Sequence, residues 1–77
     1  SLDYDERKFF KVKIENKSDL KENDIVVLGL KGKPMHLGVF LGNGLILHHP
    51  RNKFATSEQV NEKFFNRLLY VYRIKKI

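Results

Sequence analysis

The sequence predicts a small α+β fold: an antiparallel sheet that curls on itself, with one short helix before the last strand, in the order β-β-β-β-α-β. Three observations predict it. Short apolar or alternating segments are separated by turn residues, two of them flank a glycine-rich hairpin turn, and a helix-capping pattern precedes the last apolar segment. With 77 residues, the chain has room for one small domain.

The first two strands differ in the pattern of their side chains. Residues 10–14 alternate apolar with charged side chains, which predicts an edge strand with one solvated face. Residues 25–28 are continuously apolar between Asn23-Asp24 and Gly29, which predicts a strand buried on both faces. Residues 1–9 show no period, so we assign them to a lead-in or to the stub of a helix that began upstream, and residues 10–77 to the domain itself.

The strongest signal is a hairpin formed by residues 35–41 and 45–48 around the loop Gly42-Asn43-Gly44. A three-residue loop places Leu41 opposite Leu45 and Gly38 opposite His48, and side chains then alternate between two faces. One face collects five aliphatic residues and is the expected core: Leu37, Val39, Leu41, Leu45 and Leu47. The other face collects His36, Gly38, Phe40, Ile46 and His48.

Two histidines on one rigid face suit acid-base chemistry. His36 and His48 are diagonal neighbours about 7 Å apart, within reach of each other. One imidazole can take a proton from a nucleophile while the other orients it. Gly38 leaves space opposite His48, so we expect a pocket lined by Gly38, Phe40 and Ile46. No serine or threonine obviously faces the pair, and there is no cysteine.

The rest of the chain completes the predicted sheet. Thr56 and Gln59 have capping-box spacing, which predicts a short helix that turns Val60 and Phe64 inward. Residues 68–74 form the last strand, and the whole sheet is expected to curl toward an SH3-like barrel.

Composition narrows the classes of function. The chain is 42% hydrophobic and has no cysteine, which excludes disulfides and thiolate zinc sites. Its net charge of +6 favours polyanionic partners, but the lysines are spread along the chain as on a solvated surface. No apolar segment approaches the length of a membrane span. His49 should point away from His48, so a three-histidine zinc site is disfavoured, and we expect neither a metal nor a cofactor.

The hairpin sequence H-L-G-V-F-L-G-N-G-L-I-L-H resembles a segment of the NlpC family of papain-like cysteine peptidases, and its end is most similar to the tail-assembly proteins of lambdoid phages. Asn23-Asp24 and the following strand resemble the family's G-D-[LIV]-V segment. The resemblance covers residues 10–77. It implies that His36 is the general base toward a cysteine, that His48 orients it, and that the substrates are peptidoglycan stem peptides.

Two departures from the family pattern shape the expected function. Asn23 replaces a glycine, a mild change because asparagine tolerates left-handed turns. The absence of the nucleophilic cysteine implies a truncated or partial peptidase, inactive by itself, whose partner is the missing cysteine-bearing segment or a stem peptide. It would be made in the cytoplasm for a virion tail or the cell envelope. An exposed apolar patch would then support a homodimer. The alternatives are a non-catalytic binding or assembly relative and a basic small-barrel module that binds nucleic acid.

Overall fold

A computed structural model of the chain describes residues 7–48 and 56–75. They form one six-stranded antiparallel sheet with the strand order β1-β6-β2-β3-β4-β5. The elements are β1 (Phe9–Val12), a 3-10 helix (Lys17–Asp19), β2 (Ile25–Leu30), β3 (Lys33–Gly42), β4 (Leu45–His48), β5 (Thr56–Gln59), α1 (Glu62–Asn66) and β6 (Leu68–Ile74). The predicted fold class, a small antiparallel sheet with one short helix before its last strand, is confirmed. In this described part, no helix is long and apolar enough to cross a membrane.

The last strand lies inside the sheet. β6 pairs with β1 on one side and with β2 on the other, so β1 and β5 are the two edges. An apolar sequence suits this central position, and Val71 of β6 is 1% exposed. The chain therefore returns from the β5 edge, through α1, to close the opposite half of the sheet.

The helix begins later than the capping-box spacing predicts. Thr56–Gln59 forms the edge strand β5, with all four residues exposed, so the prediction of a helix from Thr56 is wrong. The helix is capped by Asn61, whose side-chain oxygen accepts a hydrogen bond from the Phe64 N–H at 2.9 Å. Pairing with β4 gives hydrogen-bond partners to the backbone groups on one side of this segment, and a tertiary pairing of this kind overrides a local capping signal. Phe64 and Val60 are buried as expected.

The hairpin keeps its predicted pairing but closes by a tighter turn. Gly38 lies opposite His48, as expected, whereas Gly42 instead of Leu41 lies opposite Leu45, with a register shift between Phe40 and Gly42. The three-residue loop is therefore a two-residue turn next to a bulge. Glycine or asparagine is needed here because three consecutive residues have positive φ: Gly42 (85°), Asn43 (52°) and Gly44 (74°). The bulge takes up the extra residue, so the pairing further along the strands is unchanged.

The core lies on the histidine face of the sheet, so the prediction of a core on the aliphatic face is wrong. The buried cluster consists of Leu20, Val26, Leu28, Phe40, Ile46, Val60, Phe64 and Val71. On the opposite face Leu37, Val39, Leu41 and Leu47 are between 36% and 42% exposed. Both faces of the hairpin are apolar, and the connections decide which one is covered. Phe64 of α1 and Leu20, which follows the 3-10 helix, pack on the histidine side.

Candidate functional site

His36 and His48 lie side by side on the inner face of the sheet. His36 is on β3, two residues before Gly38, which pairs with His48 of β4. The two imidazole rings are stacked, with centroids 5.3 Å apart and planes 19° apart. The prediction that the two histidines converge on one face is therefore confirmed, and the hairpin register is its cause.

The ring of His48 is held by the core. Its side chain is 5% exposed, and the ring of Phe64 approaches it edge-on, with centroids 5.1 Å apart at 80°. Such an edge-to-face contact is a preferred geometry between flat rings. α1 thus contributes to the site by clamping His48 from the side opposite the sheet, while His36 remains half-buried.

Glu58 is the acidic neighbour of the pair. Its Oε1 lies 3.3 Å from Nε2 of His48, and its side chain is 49% exposed. The contact has the distance of an ion pair but not the alignment of a hydrogen bond. Glu58 was not predicted as a site residue because the capping-box pattern assigned it to a helix. In a strand that follows β4, alternation places Glu58 on the histidine face, opposite Ile46.

Three buried ring nitrogens have no hydrogen-bond partner among the described residues: Nε2 of His36, and Nδ1 and Nε2 of His48. Buried polar atoms are usually paired, and an unpaired one costs about 1–3 kcal/mol. Burial lowers the pKa of His36 from its ordinary value, and electrostatic repulsion from Arg67 and from a protonated His48 lowers it further, while Glu58 raises it. His36 is therefore held as a neutral imidazole near pH 7, the form that can accept a proton.

The space expected beside Gly38 is filled by the core. A Cβ at Gly38 would lie 2.8 Å from Cγ2 of Ile46, 3.1 Å from the Leu47 carbonyl oxygen and 3.2 Å from Cγ2 of Val26. Phe40 and Ile46 are 8% and 1% exposed. These residues form a packed layer beneath the two histidines and leave no open pocket. A side chain larger than that of glycine at position 38 would overlap this layer. His49 lies outside the described residues.

These features together provide a neutral base, a second imidazole stacked against it and a carboxylate behind the second ring. They suit proton transfer to and from a nucleophile. The sequence has no cysteine, and Ser57 lies opposite Leu47, on the outer face. A model of the NlpC/P60 family matches residues 3–73. The chain belongs to the NlpC/P60 family. A search of curated proteins finds no significant match.

Membership of the NlpC/P60 family bears out the resemblance of the hairpin to a cysteine peptidase. The matched residues include both histidines and the Asn23-Asp24 segment before β2. The chain is thus a relative of the NlpC/P60 peptidases, and the inner-face histidine pair lies in the part of the chain that carries the family likeness.

Proposed function

We propose that this chain is the base-bearing part of an NlpC/P60 cysteine peptidase that cleaves peptidoglycan stem peptides, with the nucleophilic cysteine on a polypeptide segment outside these 77 residues. The observation that carries the proposal is the stacked pair of histidines, in which burial lowers the pKa of His36 and favours its neutral form. A neutral imidazole can activate a thiol that is brought within hydrogen-bond reach of it.

In the proposed reaction, His36 takes the proton of the thiol, and the thiolate attacks the carbonyl carbon of the scissile amide. The imidazolium of His36 then gives its proton to the amine nitrogen as the C–N bond breaks, leaving a thioester. A water molecule, deprotonated by His36, hydrolyses the thioester and returns the thiol. His48, whose ring packs against Phe64, is the residue that orients the ring of His36.

The route of the thiol is restricted by the sheet. His48 and Gly38 are covered by the core. His36 is half-buried and lies in the N-terminal half of β3. The segment with the cysteine must therefore reach His36 on the inner face, because a helix docked on the exposed outer face would be separated from it by the sheet. The net charge of +6 suits a substrate embedded in an anionic envelope. Because the hairpin resembles that of lambdoid phage tail-assembly proteins, we also propose that the protein is associated with a phage or prophage tail.

The test uses purified muropeptides, with this chain alone and with the chain co-purified with the polypeptide encoded immediately upstream. We expect cleavage only in the combined sample, its loss in His36→Ala and its strong reduction in His48→Ala. His49→Ala is the matched control, and its activity should equal that of the unmodified chain. Hydrolysis by this chain alone would contradict the proposal, and an inactive combined sample that still binds muropeptides would favour a non-catalytic relative.

A second candidate function, binding of single-stranded nucleic acid, is favoured by one feature of the outer face. Nζ of Lys11 lies 4.4 Å from the ring centroid of Tyr70, and Tyr72 lies opposite Lys11 in the β1-β6 pairing. Aromatic rings beside cations can stack bases and neutralise phosphates. Fluorescence anisotropy with a labelled oligonucleotide should then show binding that weakens steeply with salt and is reduced in Tyr70→Ala. No binding at low salt would remove this candidate.

A further inference from the structure

Glu58 belongs to the edge strand β5, yet its side chain reaches the buried ring of His48. In the β4-β5 pairing Glu58 lies opposite Ile46 and His48 opposite Thr56, so Glu58 and His48 are diagonal neighbours on the inner face. Oε1 of Glu58 is 3.3 Å from Nε2 of His48, with side chains that are 49% and 5% exposed, respectively. The carboxylate thus stays hydrated while one oxygen reaches the edge of a buried ring.

The contact with Glu58 distinguishes the two nitrogens of His48. A neutral imidazole carries one N–H and one lone pair, and a carboxylate can only accept hydrogen bonds. Glu58 therefore favours the tautomer with the proton on Nε2 and the lone pair on Nδ1. The Glu58 contact is electrostatic, since Nε2 of His48 has no aligned hydrogen-bond partner among the described residues; Nδ1 of His48 and Nε2 of the neighbouring His36 are likewise buried without one. If Nε2 of His36 carries a proton, it can donate a hydrogen bond to Nδ1 of His48, and both atoms then have a partner.

We propose that Glu58 is a positioning residue for this histidine pair. By its charge beside Nε2 of His48, it favours the proton on that nitrogen and leaves Nδ1 of His48 as the acceptor for the Nε2–H of His36, which directs Nδ1 of His36 toward the nucleophile. The rings are stacked at 19°, so this hydrogen bond forms on rotation of the His36 ring. The tautomer is a property of this chain, and only its catalytic consequence depends on the proposed function.

The charges around the pair agree with this role. Of the described groups that act on His36, Arg67 and His48 disfavour a further positive charge, and Glu58 is the acid that opposes them. Phe64, the contact from α1, is uncharged. The carboxylate of Glu58 is therefore placed to stabilise the positive charge that His36 acquires when it takes a proton.

The tautomer can be measured on the isolated chain by long-range ¹H–¹⁵N correlation of the histidine rings, at about pH 8, where histidine is neutral. We expect the proton of His48 on Nε2. In Glu58→Leu the ratio of Nε2–H to Nδ1–H should fall about threefold or more, because the negative charge beside Nε2 is lost. Glu22→Leu, another exposed carboxylate, is the control and should leave the ratio unchanged.

A wild-type His48 with its proton on Nδ1, or an unchanged ratio in Glu58→Leu, overturns the inference. If leucine disturbs the edge strand, as judged from the backbone amide spectrum, Glu58→Ala replaces it with the same expectation. In the combined peptidase, Glu58→Leu should lower kcat about tenfold or more with KM nearly constant. If the unmodified combined sample is inactive, the proposed function fails, while the tautomer measurement still decides the role of Glu58.

Discussion

Asp24 offers a sharp test of how the fold is held together. It is 1% exposed and precedes β2. Nε and Nη2 of Arg73, on β6, donate hydrogen bonds to Oδ1 and Oδ2 of Asp24, each at 2.8 Å. The Lys21 N–H donates to Oδ2 at 2.8 Å, and Nη2 of Arg73 also donates to the Asp19 carbonyl oxygen at 3.0 Å. This ion pair ties the entrance of β2 to the last strand.

Asp24→Asn should lower the free energy of unfolding by about 2–4 kcal/mol. Asparagine keeps one acceptor oxygen but turns an NH₂ group toward groups that are themselves donors, so at least one charge-assisted bond is lost and Arg73 loses its counter-charge. Breaking a buried pair from one side costs about 3–5 kcal/mol; we expect the lower part of that range because the Arg73 side chain is 21% exposed. A domain of 77 residues has about 4–12 kcal/mol in total.

Urea denaturation followed by circular dichroism measures the change directly, provided that the m-value stays constant. Glu22→Gln, an exposed acid close by, serves as control and should stay within about 0.5 kcal/mol of the unmodified chain. The double variant Asp24→Leu with Arg73→Met should be more stable than Asp24→Leu alone, because no unpaired charge is then left buried. A loss below about 1 kcal/mol in Asp24→Asn would refute this account of the pair.

Three further predictions concern the hairpin. The folded-state pKa of His36 lies below its ordinary value of 6.5. The stability that depends on the neutral ring is therefore complete above pH 6.5 and is lost as the pH falls toward the folded-state pKa. In thermal unfolding measured at a series of pH values, His36→Gln should reduce the decrease in melting temperature over that pH range. Gly38→Ala should cost about 1–3 kcal/mol in urea denaturation because its Cβ overlaps the core, and an unchanged midpoint would refute the packing argument. The exposed apolar residues of the outer face should cause self-association that light scattering detects. The double variant Leu37→Lys with Leu47→Lys should abolish this self-association. A wild-type chain that stays monomeric at high concentration would contradict the prediction.

The sequence sufficed for the features that depend on local pattern. The Asn43-Gly44 turn and strand alternation brought His36 and His48 together, because a bulge absorbed the error in loop length without changing the pairing at Gly38. The family likeness rested on the same residues. Their pairing is local along the chain, so no distant contact had to be known.

The features that failed depend on contacts between distant parts of the chain. Thr56–Gln59 has a capping pattern, but it forms a strand because it pairs with β4. Glu58 was therefore missed as a neighbour of His48. The core face was inverted because five aliphatic residues looked more like a core than two histidines with Phe40 and Ile46 did. Composition cannot choose between two apolar faces, since the choice depends on where Leu20 and Phe64 pack.

The inverted core also changes what the exposed surface implies. The sequence led us to expect an apolar patch where a missing segment would pack, and such a patch exists, but it is on the reverse side of the sheet from His36. Covering Leu37, Val39 and Leu47 would remove apolar surface from water without bringing any group to the imidazole. Delivering a nucleophile and covering the outer face are therefore separate requirements. A segment that covers the outer face would therefore stabilise this chain without activating it, because the proposed peptidase reaction requires a thiol at the inner face.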